Sequence, residues 1–89
     1  MQETYRKIFS DLGYGPEESS TKLLRLELIK EIKSEIEARG WTQSEAARQM
    51  HIPQPRIAEI FGLRIDKFSV ELLAKYLHRL GKEVSMTIK

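Results

Sequence analysis

Apolar side chains recur along this chain at helical spacing in one stretch after another, and at alternate positions only at its end. Tyr5, Ile8, Phe9 and Leu12 fall at i, i+3, i+4 and i+7, which predicts a helix of one to three turns stopping at Gly13. Residues 15–21, Gly-Pro-Glu-Glu-Ser-Ser-Thr, have turn chemistry and end on hydroxyls able to cap, so they read as a polar linker. A longer helix is expected from about Lys22 to Arg39, with Leu24, Leu28, Ile32 and Ile36 spaced by four and Leu26 and Ile29 beside them. Gly40 closes it, and Trp41 is expected to pack at the junction with the next element. Two short helices are expected between Gln43 and Gly62. Ser69 then starts a helix whose stripe is Leu72, Leu73, Tyr76, Leu77 and Leu80, ending at Gly81. In the last segment the period changes: Val84, Met86 and Ile88 alternate with Ser85 and Thr87, as a half-buried strand does.

One strand alone has nowhere to place its backbone donors and acceptors, and no second strand is evident in the sequence. Its partner should therefore lie in another chain. A two-fold copy of the same segment is the simplest partner, which would make Val84, Met86 and Ile88 dimerisation residues. A strand of a different protein and a frayed tail are the alternatives.

The stretch Thr42 to Gly62, TQSEAARQMHIPQPRIAEIFG, carries the most information. Thr42 followed three residues later by Glu45 is a capping box: the hydroxyl accepts from the Glu45 N–H, and the carboxylate reaches back to the Thr42 N–H. A helix starting near Gln43 turns Ala46, Ala47 and Met50 inward and must stop by His51, because Pro53 disfavours helical geometry at Ile52. Pro53 and Pro55 both suit the start of a new helix, where a missing N–H costs nothing. That helix buries Ile57, Ile60 and Phe61, and Gly62 is placed to supply the left-handed residue that ends it. Gln54, Pro55, Arg56, Ala58 and Glu59 remain outside. Two short helices with a tight turn form a helix-turn-helix, whose second helix enters the major groove of DNA with its first residues at the base edges. Gln and Arg are the side chains that pair bidentately with adenine and guanine, so Gln54 and Arg56 head the base-reading set Gln54, Pro55, Arg56, Ala58 and Glu59. An exposed Arg56–Glu59 ion pair is the alternative reading of those two residues. Gln43, Ser44, Arg64 and Lys67 are expected at phosphates, where they position without specifying sequence.

Thr42, Gln43, Glu45, Ala47, Gln54, Ile57, Ile60 and Gly62 resemble the Cro/XRE-type helix-turn-helix pattern, T-Q-x-E-x-A, a Gly turn, then Q-x-x-[VI]-S-x-[IL]-x-x-G. Residues 65–69, Ile-Asp-Lys-Phe-Ser, the run from Leu72 to Gly81, the tail from Val84 to Ile88 and the opening residues 8–13 are similar to the subgroup that includes HigA-like antitoxins. The resemblance implies a DNA-binding repressor of its own operon that neutralises a HigB-like ribonuclease toxin, with the N-terminal stripe as a surface for that toxin. Three residues depart from the pattern. His51 stands at the turn glycine and must enter the left-handed region or reshape the turn. Pro53 replaces the usual Ser or Thr, leaving the second helix without a side-chain cap, and Ala58 replaces the usual serine.

At 89 residues the chain suits one small core, and it contains no apolar run long enough to cross a membrane and no cysteine for a disulfide or thiolate metal site. These features, and an N-terminus without a signal-peptide pattern, predict a cytoplasmic protein. The net charge of +2 is small, so its distribution matters more. From Gly40 onward there are eight Lys and Arg against five Asp and Glu, a net +3, whereas the residues before it carry −1. The excess sits with the motif. His51 and His78 fit no ligand spacing, and no nucleophile, base and orienting group stand together, so no metal, cofactor or catalytic centre is expected.

These readings combine into an all-α, five-helix XRE/lambda-repressor-like DNA-binding domain with a short C-terminal β-strand paired across a homodimer. Residues 1–21 form an N-terminal helical segment and linker, 22–82 the helix-turn-helix domain and 83–89 the dimerisation strand. Double-stranded DNA with a palindromic operator is the expected partner, with a HigB-like toxin as a second. The rival is a protein-interaction module that keeps the motif as a scaffold.

Overall fold

The computed structural model describes residues 16–82, and within them the regular structure is all helical. Helix α1 spans Pro16–Ala38, α2 Gln43–Met50 and α3 Gln54–Phe61; a single 3-10 turn, Ile65–Lys67, leads into α4, Val70–Arg79. The first expected helix and the C-terminal strand, with Val84, Met86 and Ile88, lie outside the described residues.

Helix α1 begins six residues before the expected Lys22. Residues 16–21, read above as linker, are thus helical. Proline and hydroxyl residues favour turns and helix starts alike. Here Pro16 occupies the first helical position, where its missing N–H costs nothing.

The core lies where α1 crosses the other elements. Ile29, Ile32 and Ile36 of α1 are completely buried against Met50 of α2, Ile57 and Ile60 of α3 and Leu73 of α4. Burial of each such side chain contributes about 1.5–3 kcal/mol, so this face of α1 holds α3, the 3-10 turn and α4, while α2 is held chiefly through α3. Trp41, Phe61, Ile65 and Leu72 pack around it partly exposed. Ala46 and Ala47 are both buried, and their small side chains let α2 lie close on α3.

All four described helices end in the same hydrogen-bond pattern. One or two positions past each helix, one residue donates to the carbonyl three back and its successor to the carbonyl five back, as with Trp41 N–H to Ile36 O (3.3 Å) and Lys82 N–H to Leu77 O (2.9 Å). This closure needs a left-handed residue, supplied by Gly40 (φ 70°), His51 (φ 57°), Leu63 (φ 55°) and Gly81 (φ 81°). His51 therefore takes the left-handed course rather than reshaping the turn. The end of α3 corrects the sequence expectation: Gly62 has φ −82° and ψ 2°, and Leu63 makes the left-handed turn. The shift carries the Arg64 N–H to Glu59 O at 3.0 Å and brings Ile65 and Phe68 back onto the core.

Candidate nucleic-acid interface

Helix α2 is set by its N-terminal cap. The Thr42 hydroxyl accepts from the Glu45 N–H at 3.1 Å, as the spacing predicts. The reciprocal half of the capping box gives way to a side-chain cluster, because the Glu45 carboxylate accepts from Arg48 Nε (3.2 Å) and Gln49 Nε2 (2.9 Å). The Arg48 hydrogen bond, followed by that of Gln49, holds the Glu45 carboxyl below its usual range, and the same carboxylate raises Arg48. The sign follows directly: what this pair adds to stability is present above the ordinary carboxylate pKa and fades as pH falls through the lowered one. Pro53 gives α3 no side-chain cap, as its replacement of Ser or Thr implies.

The turn between the two helices is held from outside the motif. Arg79 of α4 donates to the carbonyls of Met50 (3.2 Å) and His51 (3.3 Å), which the end of α2 leaves unpaired. Its guanidinium also lies 5.7 Å from the centre of the Tyr76 ring.

On α3, Ile57 and Ile60 face inward, and Gln54, Pro55 and Ala58 are exposed. Arg56 and Glu59 are half-buried and meet each other at 3.4 Å. Arg56 does more: its Nη1 donates to the Lys67 carbonyl at 3.1 Å, and its guanidinium sits 5.3 Å from the centre of the Phe68 ring. The partly exposed ion pair is worth a few tenths of a kcal/mol, the ring contact roughly 0.5–1 and the charged hydrogen bond about 1, together about 2 kcal/mol. A bidentate guanine contact is worth about 1–3 kcal/mol, so an Arg56 that swung out to a base would forfeit roughly what it gained.

Among the other residues expected at DNA, Ser44 is exposed and Gln43 half-buried in the first turn of α2. Arg64 and Lys67 flank α3 on the following turn, both exposed. Arg64 meets Asp66 at 3.7 Å with both side chains mostly in solvent, a pair worth little. Lys67 makes no ion pair with another described residue.

A family model for the helix-turn-helix domain matches residues 8–89, nearly the whole chain. The chain belongs to the helix-turn-helix domain family. Membership makes it a DNA-binding regulator of that kind. Comparison with curated proteins and with solved structures gave no match. Among the described residues no helix is long and apolar enough to cross a membrane, and no group of three His, Cys, Asp or Glu could hold a metal ion.

Sequence reasoning missed the arginines that support this helix-turn-helix. Arg25 of α1 donates to the carbonyls of Ile65 (3.2 Å) and Phe68 (3.4 Å), and Arg39 donates to the Leu80 carbonyl. Arg39 and Arg79 stand at or just past helix ends, where cations favour the dipole, but their acceptors lie 41 and about 29 residues away in the chain. No local pattern marks such a pairing.

Proposed function

We propose that this helix-turn-helix protein is a sequence-specific repressor that binds a palindromic operator as a homodimer. Its resemblance to HigA-like antitoxins extends the proposal to control of its own operon and neutralisation of a HigB-like ribonuclease toxin. The observation that supports the DNA-binding core of this reading is the exposed first turn of α3. Gln54 and Pro55 are open to solvent there, Ala58 follows one turn on, and Arg64 and Lys67 stand just past the helix. Such a turn offers an amide able to pair with adenine and a flat approach to base edges, with cations beside it for phosphates. Pairing of Val84, Met86 and Ile88 with their two-fold copies would supply the second recognition helix that a palindrome needs.

Fluorescence anisotropy tests the reading with DNA from upstream of the gene, against a scrambled duplex of equal length, at two salt concentrations. A specific regulator should prefer the upstream duplex by about a thousandfold or more, and its affinity should fall steeply with salt. Weak and equal binding to both would reject operator recognition at that site. For the antitoxin role, a small basic reading frame should lie beside this one, and its product should lose ribonuclease activity on binding this chain.

A further inference from the structure

We propose that Arg56 is a positioning residue rather than a base reader. It fastens α3 to the Ile65–Lys67 turn so that Lys67 is held where the phosphate backbone passes, and base discrimination falls to the exposed side chains beside it, Gln54 first. This rests on the DNA-binding reading above.

The turn itself is weakly built. It is a single 3-10 revolution with no side-chain cap at its start, closed by Lys67 N–H to Arg64 O (3.0 Å) and Phe68 N–H to Ile65 O (3.4 Å). Its carbonyls are gathered by arginines from two different helices. Arg25 of α1 takes those of Ile65 and Phe68, and Arg56 of α3 takes that of Lys67. The Phe68 ring, buried in the core, forms a floor under the Arg56 guanidinium. One planar cation thus touches a carboxylate, a carbonyl and a ring, with both polar contacts through Nη1, and swinging the guanidinium out to guanine would break all three. The Glu59 contact serves the same end, since it neutralises the carboxylate of α3 that would otherwise face phosphates. Gln54, in contrast, is exposed and makes no side-chain hydrogen bond with another described residue.

The test selects preferred sequences from a randomised duplex library, using wild type and the variants Arg56→Ala, Arg56→Lys, Gln54→Ala and Lys67→Ala. Affinities for the winning duplex and a scrambled one are then measured across a salt series, alongside amide exchange in the free proteins. Arg56→Ala should select the wild-type sequence and weaken both duplexes by a common factor of about ten. It should lower the salt slope by about 1, the signature of one phosphate contact. The Arg56→Ala, Lys67→Ala double variant should lose little more than Lys67→Ala alone, because both remove the same contact. Exchange at the Lys67 and Phe68 amides should quicken in Arg56→Ala, and Gln54→Ala should change the selected base at one position.

A changed base preference in Arg56→Ala would overturn the proposal by making Arg56 a reader. So would additive losses with Lys67→Ala together with full rescue by Arg56→Lys, since Arg56 would then touch a phosphate itself. If wild type selects no sequence, the DNA-binding reading fails and takes the base-reading half with it. Amide exchange still decides the fastening role in that case, and unchanged exchange at Lys67 and Phe68 would reject it.

Discussion

Two residues without glycine's freedom, His51 and Leu63, take left-handed conformations, and they bracket α3. A left-handed residue with a side chain costs about 1–2 kcal/mol, whereas Gly62, one position earlier, sits at φ −82° where any residue fits. Leu63→Gly should therefore raise the unfolding free energy by about 0.5–1 kcal/mol once glycine's greater freedom in the unfolded chain is deducted. Gly62→Ala should also be neutral to stabilising, by up to about 1 kcal/mol, because its new Cβ would meet nothing closer than the Ala58 carbonyl oxygen at 3.4 Å. Gly81→Ala, at φ +81° with open space around it, should cost about 1–2 kcal/mol from backbone strain alone. Urea melts of the three variants would check the assignment, and destabilisation by both Gly62→Ala and Leu63→Gly would return the left-handed turn to Gly62. His51 was legible as a left-handed candidate because it stands at the turn glycine of the Cro/XRE-type pattern. Leu63 was not, because the register of Ile65 and Phe68 against the core decides which residue turns.

Between elements, arginines reach across to carbonyls that helix ends and the 3-10 turn leave unpaired. Arg79 joins α4 to the turn between α2 and α3, and Arg25 joins α1 to the turn after α3, so both ends of α3 are tied to the scaffold. Arg79→Ala should lower the unfolding free energy by about 1–2 kcal/mol, a value reduced by the exposure of the side chain. It should weaken binding to any DNA sequence without altering preference, as titrations against operator and scrambled duplexes would show. The elements themselves were largely readable. The Thr42 cap, the inward Ala46, Ala47 and Met50, the buried Ile57 and Ile60 and the Ser69 start of α4 all follow from spacing and capping chemistry. The start of α1 was not, because proline, glutamate and serine serve a linker and a first helical turn equally well.

For the whole molecule, the modest excess of positive charge in the second half of the chain overstates what is available to DNA. Arg48 is paired with Glu45, Arg56 with Glu59, and Arg79 is committed to the backbone, which leaves Arg64 and Lys67 beside the recognition helix as the more available cations. If the proposed pairing of the tail holds, deletion of Val84 to Lys89 should convert a dimer to a monomer in light scattering and sharply reduce operator affinity; an unchanged mass would remove that pairing. The sequence by itself determined the two motif helices, the buried Ala46, Ala47, Met50, Ile57 and Ile60 and the exposed Gln54, Pro55 and Ala58, because periodicity, prolines and caps act over a few residues. Only the tertiary structure decided which arginines stay free. A guanidinium finds its acceptor by proximity in space, and the carbonyls that claim Arg25, Arg39 and Arg79 lie about 28–43 residues away along the chain.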